Sequence, residues 1–234
     1  MEHLDPGRTT RTAEPAKNDQ IRAIRSYVLR QGRLTKGQQE ALDKFGDRYF
    51  LSLASSLIHW QQHLGKNPIV LEIGFGNGEA SIDFAKHHPD TTLLASDVHL
   101  PGVGRLLRRL DEEELGNVRV FHGDCLALLD LVPDGVLSGV HIFFPDPWPK
   151  KRHHKRRLIN SAFVGLLART IKTGGYAAIA TDWEDYALAI EEVFSKSGFF
   201  RLQSKARFPR PMTAFEKKAI EAGRPIRDFL FISL

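Results

Sequence analysis

The segment Ile69-Val-Leu-Glu-Ile-Gly-Phe-Gly-Asn-Gly78 decides the reading of the fold. Its first five residues, mostly β-branched or aliphatic, suit a strand buried on both faces. Gly74, Gly76 and Gly78 then allow a tight turn at positive φ and a close approach of ligand to backbone. Residues 79–88 follow with helical character. Strand, glycine turn and helix in that order form the opening unit of a parallel, doubly wound sheet.

The rest of the chain repeats the alternation. Short apolar runs at 92–95, 118–121, 139–144 and 176–180 are separated by helix-like stretches at 101–115, 126–131, 158–170 and 183–196. Residues 228–234 read as a final strand. The expected class is α/β: a doubly wound, mainly parallel, Rossmann-like sheet over residues 37–234, with an N-terminal helical extension. Upstream, Leu42, Phe45, Tyr49, Leu53, Leu57 and Trp60 recur every three or four positions, which predicts one amphipathic helix over 38–63. Residues 1–36 form a basic arm. Its first 20 or so residues lack periodicity and carry Pro6, Gly7 and Pro15, so disorder is expected there.

A chain of 234 residues, 42% hydrophobic and 26% charged, fits one soluble globular domain. No apolar run approaches the roughly 18 residues that span a bilayer, and the N-terminus has no apolar signal core, so no membrane partner is expected. The single cysteine, Cys125, excludes a disulfide within the chain and a cysteine-based zinc cluster. These features point to the cytoplasm.

The net charge of +5 is concentrated in two places. Residues 1–36 hold eight Lys/Arg against four acids, and Lys150–Arg157 holds six Lys/Arg and two His with no acid. Two basic patches on an otherwise acidic body suit a polyanionic partner, although a solvated tail and loop would look the same by charge alone.

Acids mark the strand ends. The spacing here is GxGxG, whereas a dinucleotide loop of the form GxGxxG would need glycine at Glu79. Glu72, two residues before Gly74, would oppose a pyrophosphate across a short distance. It suits a cation bearing an amino group and a sulfonium, as S-adenosylmethionine does. Its bland alternative is a strand-end acid that bonds local backbone amides. Asp97 ends the second strand, 25 positions beyond Glu72, where a carboxylate can accept both hydroxyls of a ribose. Asp124 follows the third, within reach of an adenine amino group. Either acid alone could be a helix cap; acids after three successive strands are harder to set aside.

The fourth strand runs into Ile142-Phe-Phe-Pro-Asp-Pro-Trp-Pro-Lys150. Pro145, Pro147 and Pro149 fix φ and exclude helix or central strand. Such a loop would hold Asp146 and Trp148 rigidly at the carboxyl edge of the sheet, with the basic run directly after it. His153 and His154 lack an acidic or cysteine partner, so no metal is expected. Trp183 and Tyr186 read as packing residues.

The strings LEIGFGNG, FPDPWPKKRHHKRR, ATDWEDYA and RPMTAFE, with IRSYVLRQGRLTKGQQEAL near the start, resemble the bacterial tRNA (guanine-N7)-methyltransferase family of class I S-adenosylmethionine-dependent enzymes. The resemblance covers most of the chain and implies a seven-stranded sheet. It implies methyl transfer from S-adenosylmethionine to N7 of a guanine in the tRNA variable loop, position 46 in tRNA numbering. It implies cofactor contacts from Glu72, Gly74, Gly76, Asp97, Asp124 and Asp146, with Asp146 also catalytic. It further implies guanosine contacts from Lys150, Asp182, Thr213, Phe215 and Glu216, and RNA contacts from Lys151, Arg152, His153, His154, Lys155, Arg156 and Arg157. Two departures stand out: Asp97 is often glutamate in that family, and Ala214 replaces a frequent basic residue. Two other readings remain: methylation of an exocyclic amine, whose enzymes usually carry consecutive prolines before the aromatic residue, and an RNA-binding protein of this fold without activity.

Overall fold

The computed structural model describes residues 26–27, 33–51 and 67–234. Within them seven strands make one sheet: β1 (Ile69–Ile73), β2 (Thr92–Asp97), β3 (Val118–His122), β4 (Leu137–Phe143), β5 (Ile171–Thr181), β6 (Phe200–Ser204) and β7 (Arg227–Ser233). Their spatial order is β3-β2-β1-β4-β5-β7-β6. Strands β1 to β5 pair in parallel, and β7 lies antiparallel between β5 and β6. This is the doubly wound architecture expected from the sequence. Strand order reverses between β1 and β4, so a crevice opens beyond the carboxyl ends of those two strands.

Helices cover both faces. On one side lie α1 (Lys36–Tyr49), α2 (Glu79–His87) and α3 (Leu100–Glu112). On the other lie α4 (Cys125–Leu131), α5 (Ser161–Thr170) and α6 (Glu184–Ser197). A 3-10 helix, η1 (Lys151–Arg156), follows the proline loop, and α7 (Ala214–Glu221) follows β6. The period of two along β1 sorts its side chains: Ile69, Leu71 and Ile73 enter the α4–α6 core, while Val70 enters the α1–α3 core. Burying each of these stabilises the fold by about 2 kcal/mol. Glu72 has the parity of Val70 and therefore points under α2.

Three boundaries differ from the sequence reading. The helix expected over 38–63 ends at Tyr49, where the Phe50 N–H closes on the Gly46 carbonyl. Phe50 then bridges to Val120, and the Leu51 N–H donates to the Val120 carbonyl at 2.9 Å, covering groups on the free edge of β3. Positions 52–63 of that expected helix, and nearly all of the expected basic arm at 1–36, lie outside the described residues. Strand β5 starts at Ile171 rather than 176, passing through Gly174 and Gly175 with a shift of register against β4. Helix α5 starts at Ser161 because the Asn160 side chain caps it, accepting from the Phe163 N–H at 3.1 Å. Leu158 and Ile159, expected as its first turn, are instead buried in the core.

No helix of the described residues is long and apolar enough to cross a membrane. Among the same residues no group of three or more His, Cys, Asp or Glu is placed to hold a metal ion.

Candidate active site

The crevice at the reversal point is a cleft of about 550 Å³, walled by the loop after β1, the end of β2, the start of α4 and the proline loop after β4. The glycine loop is its floor. Gly74 and Gly76 sit at φ +76° and +58°, and a Cβ on Gly102, in the first turn of α3, would collide with the Gly76 carbonyl oxygen. The glycines thus let α3 abut the loop and leave bare backbone beside the cleft.

Asp97 organises this floor. Its Oδ2 accepts the Gly76 N–H and its Oδ1 accepts the His99 N–H, each at 2.8 Å. Each oxygen keeps lone-pair capacity for a ligand hydroxyl. Burial pushes the Asp97 carboxyl upward, against the hydrogen bonds from His99 and Gly76. Beside it Ser96 lines the cleft, buried, with a hydroxyl that has no hydrogen-bond partner among the described residues. That oxygen is itself shielded from solvent, so a ligand in the cleft has no direct access to it. The sequence carried no sign of it.

The proline loop is held at three points. The Phe144 N–H donates to the Ala180 carbonyl at 2.8 Å, and Trp148 Nε1 donates to the Ser26 carbonyl at 3.1 Å. Arg157 Nε donates to the Pro147 carbonyl at 2.9 Å. Phe144 and Trp148 occupy left-handed backbone, φ +56° and +47°, a conformation costing on the order of 1 kcal/mol or more per residue. Tertiary contacts over-determine the loop, and Asp146 is exposed on the cleft wall between its fixed ends. Ser26 and Tyr27 line the same cleft.

Several expected site residues sit elsewhere. Glu72 is 3% exposed and lies beneath the glycine loop, its Oε2 accepting from the Ser81 hydroxyl at 2.5 Å. Burial pushes its carboxyl up to about 7, the Ser81 bond opposes this, and the charges of Asp97 and Glu79 add to it. Asp124 caps α4 by accepting the Leu126 N–H at 3.0 Å, while Gly123 and Cys125 form the cleft wall there. Burial pushes the Cys125 thiol up to about 12, so it is inert.

The C-terminal motif divides in two. Phe215 is exposed and lines the cleft, its ring edge lying against Gly76. Thr213 caps α7, its Oγ1 accepting the Glu216 N–H at 3.1 Å. Glu216 is buried and accepts from Arg207 at 2.9 Å and from Arg210 at 3.2 Å, and Arg210 continues to Asp228. Burial opposes ionisation of Glu216, but the two guanidinium groups prevail and hold its pKa below the ordinary value. The Arg210 guanidinium also lies 5.1 Å from the centre of the Phe143 ring, bracing the end of β4. Glu216 is therefore engaged inside the protein rather than presented to the cleft.

The basic run divides as well. Lys150, Lys151, Arg152, Lys155 and Arg156 are exposed, and His153 and His154 are half-buried. Arg156 lies over the Trp148 indole at 5.0 Å. Arg157 is only 7% exposed; besides Pro147 it engages Asp185 at 2.5 Å and covers the ring of Tyr186. Asp182 follows β5, one strand from Asp146, and accepts from Arg224 Nε at 2.7 Å. Tyr186 is fully buried and Trp183 packs partly buried against the core, the packing roles read from sequence.

Comparisons with known proteins agree with this architecture. The family model described as "Putative methyltransferase" matches residues 66–229. A protein of Ralstonia nicotianae named tRNA (guanine-N(7)-)-methyltransferase is 43% identical over 90% of this chain and 86% of its own length. A protein of the same name from Chromobacterium violaceum is 44% identical, over 90% of this chain and 96% of its own. Among solved structures, an antibiotic-related methyltransferase superposes with TM-score 0.56 at 17% identity, covering 86% of this chain and 99% of that one. The 30S ribosomal A1408 methyltransferase from an uncultured bacterium gives 0.53 at 16% identity, over 74% and 91%. At such identities the structural likeness bears on the fold alone.

Proposed function

This chain belongs to the tRNA (guanine-N(7)-)-methyltransferase family, and on that premise we propose that it methylates N7 of a guanine in the variable loop of tRNA, with S-adenosylmethionine as donor. The observation that carries this reading is one cleft that joins bare glycine backbone, the Asp97 carboxylate and Asp146, with the exposed cations of η1 at its lip.

The residues fit that donor. Asp97 has acceptor capacity for ribose hydroxyls, and Glu72 supplies negative potential from beneath the loop. Bound there, S-adenosylmethionine would supply an electrophilic methyl group, and the N7 lone pair takes it without loss of a proton while positive charge passes to the purine. No general base is needed. Asp146 is the catalytic residue in this reading, because a fixed carboxylate stabilises the cationic purine more in the transition state than in the ground state. Asp182 accepts from the guanine N1–H and amino edge, and Phe215 covers the base. Lys150 and the exposed members of η1 grip phosphates, while Arg157 positions the loop from inside. N7 lies in the deep, narrow groove of A-form RNA, so the target must be an exposed guanine. A tRNA substrate also places the protein in the cytoplasm.

Borohydride and aniline cleave RNA at 7-methylguanosine, so treating the methylated tRNA maps the site. The expected cut falls in the variable loop; a cut in another loop would overturn the assignment of position.

A further inference from the structure

Asp182 is not alone at the tip of β5. Its Oδ2 accepts from Arg224 Nε at 2.7 Å, and Arg224 comes from the turn after α7, 42 positions further along the chain. That turn is fixed: the Arg224 N–H donates to the Ala219 carbonyl at 2.9 Å, and Gly223 supplies the left-handed φ of +66° that the turn needs. The arginine side chain is 40% exposed and that of Asp182 18% exposed, so the pair is supported from below and open above. Among the described residues only the Nε of the Arg224 guanidinium is engaged. Its two terminal nitrogens retain four N–H donors, while Asp182 retains acceptor capacity.

We propose that Arg224 is a specificity-determining residue that reads the target base together with Asp182. The proposal rests on the guanine substrate advanced above. Guanine offers, side by side, the acceptor O6 and the donors N1–H and 2-NH₂. The pair offers the complement, guanidinium donors beside carboxylate acceptors. Adenine reverses both positions, with an amino donor facing the guanidinium and the bare N1 facing the carboxylate. It would set donor against donor and acceptor against acceptor, leaving the remaining guanidinium N–H groups and carboxylate lone pairs without ligand partners, the kind of mismatch that rejects a ligand strongly. The arrangement also explains why a carboxylate meant for a neutral base edge is already partnered: the arginine fixes its orientation.

The test compares the wild-type protein with Arg224→Ala and Arg224→Lys on tRNA carrying guanine or 2-aminopurine at the target position. 2-Aminopurine keeps N7 and the 2-amino group but lacks both O6 and the N1–H, so each variant is compared with the wild-type protein on the same base. Transfer is measured in single turnover with enzyme in excess, so that slow reactions are still counted. On guanine, Arg224→Ala should reduce the rate by about 10- to 100-fold, with lysine intermediate. On 2-aminopurine the same substitution should cost less than about threefold, since the acceptor it served is gone. Cofactor affinity, measured by calorimetry, should be unchanged, because Arg224 does not line the cofactor cleft. Equal penalties on both bases would reduce Arg224 to a support for Asp182, and no penalty on guanine would remove it from the site; either overturns the proposal. If the wild-type protein formed no 7-methylguanosine at all, the underlying reading would fall instead, and the two failures are distinguishable.

Discussion

The guanidinium of Arg157 donates to the carbonyl oxygen of Pro147 at 2.9 Å, so a residue from the most basic stretch of the chain is the internal strut of the loop that carries Asp146. Its neighbour Arg156 is exposed and stacks on Trp148. Adjacent arginines thus separate two functions, and substitutions should separate them too. Arg157→Ala removes charge-assisted hydrogen bonds worth roughly 2 kcal/mol, lowering Tm by about 6 °C and slowing turnover, with the salt dependence of tRNA binding unchanged. Arg156→Ala should leave Tm within about 1 °C, weaken tRNA binding, and flatten the plot of log affinity against log salt by roughly one phosphate contact. Thermal melts and binding titrations across a salt series check both. Identical behaviour of the two variants would contradict the division.

Glu72 makes the protein sensitive to pH in a defined direction. Its carboxyl titrates near 4.5 when solvated and is pushed up to about 7 in the fold, chiefly by burial. Between those values the folded state binds more protons, so stability falls as pH rises through the window, by about 3 kcal/mol in all. Glu72→Gln should flatten this part of the Tm–pH curve. A cationic ligand favours the ionised carboxylate, so S-adenosylmethionine affinity should rise from about pH 6 to pH 8 more steeply in wild type than in Glu72→Gln. Parallel curves in calorimetric titrations would disprove the role of Glu72 as a buried counter-charge.

Glu216 should behave as a structural anion. Among the described residues, Glu216→Ala leaves Arg210, whose side chain is 1% exposed, with Asp228 as its one remaining ionic partner and strips Arg207 of its own. Breaking such a buried pair costs on the order of 3 kcal/mol, which for a chain of this size lowers Tm by on the order of 10 °C. Differential scanning calorimetry reads this directly. An unchanged Tm, with only KM for tRNA raised, would instead favour a direct contact with substrate.

Asp146→Ala tests catalysis without touching the cofactor floor. Turnover should fall at least about tenfold, while S-adenosylmethionine affinity weakens less, because Asp97 and the glycine loop remain. Rapid-quench rates with saturating substrates and a calorimetric titration give the two quantities. Near-normal turnover would remove Asp146 from the catalytic step.

Much of this was legible in the sequence because it is local. A mostly apolar strand followed by glycines is recognisable within ten residues, and the acids Asp97 and Asp146 could be placed because strand tips converge in any parallel sheet. What escaped the sequence depends on distant partners. Arg157 looks like its neighbours until Asp185 and Tyr186 fold over it. Glu216 reads as a ligand until Arg207 and Arg210 surround it. The parity of β1 did imply that Glu72 points away from the α4–α6 core that Leu71 and Ile73 enter, but its burial under α2 requires Ser81. The hydrogen bond from Trp148 to Ser26 spans 122 positions, and the orphaned hydroxyl of Ser96 has no counterpart in any motif. The early end of α1 is of the same kind, since the edge of β3 draws Phe50 and Leu51 out of the helical period.

On the proposed function this cleft directs a methyl group to a purine ring nitrogen of tRNA. Incubating the full-length protein with methyl-labelled S-adenosylmethionine and unmodified tRNA, digesting the product and resolving its nucleosides by mass spectrometry tests it directly. The label should elute as 7-methylguanosine. Label in N6-methyladenosine or another exocyclic-amine product, or no transfer to tRNA at all, would contradict it.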